Sequence, residues 1–338
     1  DEIRAMALNI YMEQSAVRDG VTAEEVKGIL LGMASGQETL LGYFRRFIRN
    51  FEKRVGINRT VGSLRAYSNA YSHIERFLQA QYKLSDIPFS ALDRSFIDKY
   101  DLYLRTERNL APGTIINLTV QLKTIVGEAI ADGVITASPF MGYEPVRPKH
   151  VQKYLTAEEL HRIMTTPLHR QTLYHVRDMF LFSCFTGIPY GDMRLLTKDN
   201  LCLAEDGIWW IKSARQKTKI EFEIPLLDLP LQILKKYSGT APGDKLLPMY
   251  CNSTLNLYLK EIARICHIDR PLVFHAGRHT YATEITLSHG VPLETVSRML
   301  GHSQIETTQI YAKVTDEKID TDTKALNRKI SERFSVVI

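Results

Sequence analysis

No apolar run in the chain approaches the roughly 20 residues that a membrane-spanning helix requires. The opening stretch, DEIRAMALNIYMEQS, lacks the basic-then-apolar order of a signal peptide. The expected location is therefore cytoplasmic, with no membrane partner. Cysteine is scarce: Cys184, Cys202, Cys251 and Cys266 lie far apart and none forms a CxxC pair. That excludes a disulfide framework and a cysteine-rich zinc site, and predicts reduced, mostly buried thiols. Internal repeats and low-complexity tracts are absent. A strong charge of one sign is absent too: 43 Lys and Arg against 38 Asp and Glu leave +5, too little to identify a polyanionic partner.

What is present is the composition of a folding protein, 44% hydrophobic and 24% charged, over 338 residues that favour two domains. The chain opens at Asp1 inside a helical pattern of Ile3, Met6, Ala7, Ile10 and Tyr11, which reads as the continuation of a longer protein. A second short helix is expected after the capping box at Thr22. Between Glu38 and Pro139 the apolar spacing predicts only helices, through Tyr43 to Phe51, Leu64 to Phe77, Phe96 to Tyr103, and from Pro112 to about Ala131. The proline-rich stretch from Ser138 to His150 marks a linker. Beyond Tyr154 helices dominate again, but Gly207–Lys212 and Ile220–Leu226 read as short strands flanking a basic hairpin, Ser213–Lys219.

The residues that carry chemistry stand in a particular order. Lys217 in the hairpin is followed by His275-Ala-Gly-Arg278-His279, then Leu300-Gly-His302, then Tyr311 within Thr307-Thr-Gln-Ile-Tyr. Phosphodiester exchange needs a nucleophile, a proton donor for the departing oxygen and cations around the transition-state charge. A tyrosine, a lysine, an arginine able to fork onto phosphate oxygens and two histidines supply those types. His275 and His279 are spaced like zinc ligands, but the arginine between them opposes a cation and no cysteine pair completes a site, so no metal is expected.

HxxR, then LGH, then a tyrosine nine residues after that histidine resembles the tyrosine recombinases and phage-type integrases, with a flavour of integrases of Bacteroides-group mobile elements. The resemblance implies a mainly α fold with a small β-sheet: an all-helical core-binding (SAM-like) domain and a mixed α/β catalytic domain, closing around the duplex as a clamp. On that basis 1–36 is a helical lead-in, the end of a truncated arm-binding region. Residues 37–140 form the core-type DNA-binding domain, 141–153 the linker and 154–338 the catalytic domain.

The implied catalytic set is Tyr311 as nucleophile, Arg278 and His302 on non-bridging oxygens, His275 assisting the tyrosine proton, and Lys217 as general acid. Lys219 and Arg215 compete with Lys217 for that role. The implied activity needs no cofactor. Implied partners are double-stranded DNA, three further copies of the chain on synapsed sites, and a DNA-bending accessory protein. The segment after Tyr311, with Ile319, Leu326, Ile330 and Phe334, packs either on a neighbouring subunit or on its own domain.

One departure stands out. Where the family carries its first catalytic arginine, in Thr-Gly-Leu-Arg, this chain has Thr186-Gly-Ile-Pro189. Proline suits a first helical turn but brings no charge. Arg194 or Arg177 is a candidate replacement, and Asp192 is expected to support the histidine or arginine network. The alternative readings are a DNA-binding relative with a disabled site and, less fitting, a relaxing topoisomerase. Phosphate contacts are expected from Arg45, Arg46, Arg49, Lys53, Arg54, Arg59, Arg65, Lys123, Lys149, Arg215 and Lys219.

Overall fold

A computed structural model describes residues 2–16, 21–23, 26, 38–147, 153–311 and 316–331. The chain divides into two units, Asp1–His150 and Val151–Ile338.

The first unit contains α1 (Glu2–Ser15), α2 (Leu40–Glu52), α3 (Val61–Phe77), α4 (Arg94–Thr106) and α5 (Pro112–Ala131), with no strand among its described residues. Each start has a local cause. Thr60 accepts a hydrogen bond from Ser63 N at 3.1 Å to begin α3, and Asp93 accepts from Phe96 N at 2.8 Å to begin α4. Pro112 opens α5. Thr39 provides no side-chain cap for α2, and Asp86 does so from a distance, accepting from Leu41 N and Gly42 N at 2.8 and 3.0 Å. The core joins Phe44 of α2, Ile74 and Phe77 of α3, Phe96 and Tyr100 of α4, and Leu122 and Ile125 of α5.

That core runs past the expected boundary at residue 140. Phe140 and Tyr143 are buried, Phe140 stacking on Phe96 and the Tyr143 hydroxyl donating to Asp101 Oδ2 at 2.7 Å. Burying an aromatic side chain contributes about 1.5–3 kcal/mol, which outweighs the linker character of the flanking prolines. The helix expected after Thr22 and the middle of the linker, with Lys149, lie largely outside the described residues.

The second unit holds α6 (Ala157–Thr165), α7 (Gln171–Thr186), a single turn α8 (Tyr190–Met193), strands β1 (Leu201–Leu203), β2 (Trp209–Ala214) and β3 (Glu221–Pro225), then α9 (Asp228–Lys236) and α10 (Asn252–Ile265). The chain continues through α11 (Ala276–Thr280), α12 (Leu293–Leu300), α13 (Glu306–Gln309) and α14 (Asp316–Ser331). Helix α7 buries side chains around much of its circumference, Phe180 and Phe182 among them, and is the central element, with α9, α10 and α11 packed on it. The three strands form one antiparallel sheet in the order β1-β2-β3, and Ala214 pairs with Glu221 at the mouth of the basic hairpin. Strand β1 was not legible in the sequence, because three residues are too short to show alternation. Of the four cysteines, all free, Cys184 and Cys266 are buried, while Cys202 is half-buried and Cys251 exposed. No described helix is long and apolar enough to cross a membrane.

Two turns shape the site. Helix α7 ends at Gly187 with φ of +69°, where a Cβ would lie 2.5 Å from the Tyr281 ring. Helix α12 ends at Gly301 with φ of +65°, against the Arg215 side chain. Only glycine reverses the chain at both places without strain.

Candidate active site

The short helix α11 packs on α7 and buries Arg278, which is 3% exposed. Three acceptors hold its guanidinium: Nη1 donates to Gly187 O at 2.9 Å, and Nη2 to Leu300 O at 2.7 Å and to His302 Nε2 at 2.9 Å. Both carbonyls come from the glycine-terminated helix ends, which explains why those turns are needed. Of the five N–H groups of an arginine, two remain for Tyr311 and an incoming anion. Burial, then the nearby Arg215, lowers the Arg278 pKa to about 10, which leaves it charged at neutral pH.

His302 follows Gly301, and its Nδ1 lies 2.8 Å from Thr308 Oγ1. Burial, then Arg278 and Arg215, bring the ring down to about 4, so it is neutral at pH 7. Tyr311 is 7% exposed and sits in a small apolar cluster with Tyr281, Val296 and Leu300. Its phenol is raised by burial and partly brought back by the charge and hydrogen bond of Arg278. The Tyr311 ring lies 5.1 Å from His279, edge to face, and 6.3 Å from His302, stacked. His279, brought to about 4 by burial and then by His275 and Lys153, is thus a wall of the tyrosine pocket. His275 touches His279 at 4.8 Å and is likewise held neutral, by partial desolvation and then Arg278, Arg215 and Lys153.

The β2–β3 hairpin brings Arg215 to this group. Its Nη1 donates to Leu300 O at 3.0 Å, the same carbonyl that Arg278 uses. Its Nε lies 2.6 Å from Asp192 Oδ2, an ion contact rather than an aligned hydrogen bond. The other Asp192 oxygen accepts from Gln216 N at 2.9 Å. Asp192, from the α8 turn, thereby clasps the hairpin. A cleft of about 750 Å³ opens onto Arg215, Lys217, His275, Arg278, His302 and Tyr311.

Comparison with known proteins gives the family. Residues 153–318 match the Phage integrase family and residues 39–145 the Phage integrase SAM-like domain. The chain belongs to the phage integrase family. It is accordingly a tyrosine recombinase, an enzyme of site-specific DNA cleavage and rejoining. Tyrosine recombinase XerD of Listeria monocytogenes is 25% identical over 273 residues, covering 76% of this chain and 89% of that one. XerD of Pseudomonas putida is 30% identical over 152 residues, 41% of this chain and 49% of that one. In fold, the Tn1549 transposon integrase, solved with transposon right end DNA, matches with a TM-score of 0.66 at 18% identity over 86% of this chain and all of that one. A lambda integrase tetramer bound to a Holliday junction matches with a TM-score of 0.68 at 16% identity over 93% of this chain and 87% of that one.

Not every residue singled out in the sequence of this tyrosine recombinase reaches the cleft. Arg194 is exposed at the end of the one-turn α8 and does not line it. Arg177 is held by Asp178 at 3.3 Å and by Met164 O at 3.2 Å, while Asp178 also pairs with Lys236 and the Tyr237 hydroxyl. Neither side chain lines the cleft. Lys219 occupies the positive-φ position of the hairpin turn, outside the cleft lining. The arginine that Asp192 contacts is Arg215.

In the first unit Arg45, Arg46, Arg49, Lys53, Arg54, Arg59 and Arg65 are all exposed. Arg46 pairs with Glu38 at 2.5 Å, Arg45 donates to the Tyr71 hydroxyl, and Arg59 stacks over Phe51. Lys123 Nζ donates to Tyr143 O at 3.2 Å. Sequence reasoning missed Thr308, Lys153 and the wall formed by His279. Thr308 was visible inside the Thr-Thr-Gln-Ile-Tyr motif, but nothing in the spacing said what its hydroxyl touches.

Proposed function

We propose that this recombinase attacks DNA with the Tyr311 phenolic oxygen, forming a 3′-phosphotyrosine as the phosphorus–5′-oxygen bond breaks. The observation that carries this reading is the buried Arg278 guanidinium, which hydrogen-bonds Tyr311 and His302 beside Arg215 in one cleft. Cations already fixed by protein acceptors do not reorganise when charge develops on the phosphate, which is the condition for strong electrostatic catalysis. His275, neutral at pH 7, takes the phenolic proton. Lys217, exposed on the hairpin at the cleft, gives a proton to the departing 5′ oxygen. Rejoining runs the same steps backward and needs no external energy source.

Arg215 supplies the cation that Pro189 does not. It reaches the cleft from the hairpin instead of from the helix after α7, and the shared Leu300 carbonyl sets it beside Arg278. This favours an active enzyme over a DNA-binding relative with a disabled site.

The substrate is double-stranded DNA, with phosphate contacts from the exposed basic residues of α2 and α3 and their connection. The working assembly is a tetramer of this chain on two synapsed sites, aided by a DNA-bending protein. The lambda integrase tetramer on a Holliday junction supports that assembly by analogy. Leu326 and Ile330, exposed on α14, suit packing on a neighbouring subunit. The side chains of Ile319 and Phe334 lie outside the described residues.

Covalent trapping tests the proposal. The protein is incubated with nicked suicide duplexes tiled across the DNA flanking its coding sequence, and denaturation-resistant adducts are sought. An adduct that Tyr311→Phe abolishes is the expected result. Tight DNA binding without an adduct, with one appearing in Pro189→Arg, would instead assign a binding protein with a disabled site.

A further inference from the structure

Arginine has no acceptor, so the 2.9 Å contact between Arg278 Nη2 and His302 Nε2 requires that Nε2 carry no proton. In the DNA-free protein the neutral ring is therefore the Nδ1–H tautomer, and Nδ1–H donates to Thr308 Oγ1 at 2.8 Å. That is the wrong tautomer for holding a phosphate. A ring whose Nε2 faces the cleft can donate to a non-bridging oxygen only with the proton on Nε2, and Nδ1 must then accept.

Thr308 is built to allow the change. It is fully buried in α13, so water does not replace it, and its hydroxyl both accepts and donates. Its backbone carbonyl accepts from Tyr311 N at 2.9 Å, so one residue holds the histidine by its side chain and the tyrosine by its main chain. Arg278 of α11 and Arg215 of the hairpin act on the ring, Arg215 being itself paired with Asp192, and Tyr311, Lys217, His275, His279 and Lys153 line the same cleft. Glu306 of α13 is exposed. This surplus of positive charge disfavours an imidazolium and leaves tautomer exchange as the cheaper route.

We propose that Thr308 is a positioning residue that reverses the tautomer of His302 when a phosphate enters the cleft. The ring swings out of its contacts with Thr308 and Arg278 into the cleft, gives its Nδ1 proton to water and takes one at Nε2 from water, with no net change in charge, and the Arg278 N–H it releases turns to the phosphate. Meanwhile the Thr308 hydroxyl turns from acceptor to donor. The proposal rests on the reading of Tyr311 and His302 given above, but part of its test does not need activity.

Nitrogen-15 NMR of histidine-labelled, DNA-free protein is expected to show His302 as the Nδ1–H tautomer. An Nε2–H tautomer, or a ring protonated on both nitrogens at pH 7.5, overturns the proposal whether or not the chain cleaves DNA. In single-turnover cleavage, Thr308→Val keeps the side-chain shape without the hydroxyl and is expected to slow the reaction at least tenfold at pH 7.5. Thr308→Ser restores it. The loss in Thr308→Val narrows as pH falls toward 4, where the ring titrates, because a protonated ring can donate from Nε2 without Thr308. A loss that is equal at every pH, or a valine variant as fast as the parent, overturns the switch. If the parent forms no adduct on any duplex, the functional proposal fails and the tautomer result still stands on its own.

Discussion

Arg215→Ala separates the electrostatic account of this site from a structural one. Two costs are worked from the geometry. Removing a fixed cationic donor from a site of developing negative charge slows the chemistry by about 10²–10³, or about 2.7–4 kcal/mol. The same change strands Asp192, whose side chain is 5% exposed and would keep only the Gln216 N–H. Breaking a buried ion pair from one side costs about 3–5 kcal/mol of stability. Asp192→Asn combined with Arg215→Ala removes the stranded charge, so the double variant is expected to regain most of the lost stability and none of the lost rate. Urea denaturation reads the first quantity and single-turnover cleavage of a suicide duplex the second, with DNA affinity measured alongside. Arg215→Lys should fall between, since an ammonium cannot reach both Asp192 and Leu300 O as the fork does. A folded double variant that cleaves within roughly threefold of the parent would refute the assignment of Arg215 to the transition state.

Two further outcomes follow from the same geometry. Gly187→Ala places a Cβ 2.5 Å from the Tyr281 ring at a φ of +69° and should cost about 2–5 kcal/mol by urea denaturation, whereas Gly133→Ala, equally left-handed but in open space, should cost only about 1–2 kcal/mol. His279 and His302 ordinarily titrate at 6.5 and are held at about 4 in the folded protein. Between those values the unfolded chain binds protons that the folded chain refuses, so the stability present above pH 6.5 is lost as pH falls toward 4. A Tm that declines from pH 7 to 5, and less steeply in His302→Asn, is the expected result, and an equal slope in both proteins would count against the assignment.

The parts of this protein legible in its sequence are those whose causes lie within a few residues. Helix α5 begins at a proline, α3 and α4 begin at side chains that cap their own first turn, and the β2–β3 hairpin follows from alternation on either side of a polar turn. The HxxR, LGH and tyrosine segments are likewise local, and their order pointed to the family before any fold was known. The charge missing at Pro189 was legible, but the residue proposed above to replace it, Arg215, was not. Arg194 and Arg177 are nearer in sequence, yet one is exposed and the other is held by Asp178.

The candidate chemistry proposed above, a tyrosine, an arginine, two histidines and a lysine in a set order, is thus readable from the chain alone, carried on helices and a hairpin set by short-range hydrogen bonds. Which of those groups meet is set by long-range packing. Arg215 meets Leu300 across 85 positions of chain and Gln216 meets Asp192 across 24. Whether His302 carries its proton on Nδ1 depends on Arg278, 24 residues away. Such contacts arise from packing one helix end against a hairpin, and no periodicity in the chain encodes where a side chain will find its partner.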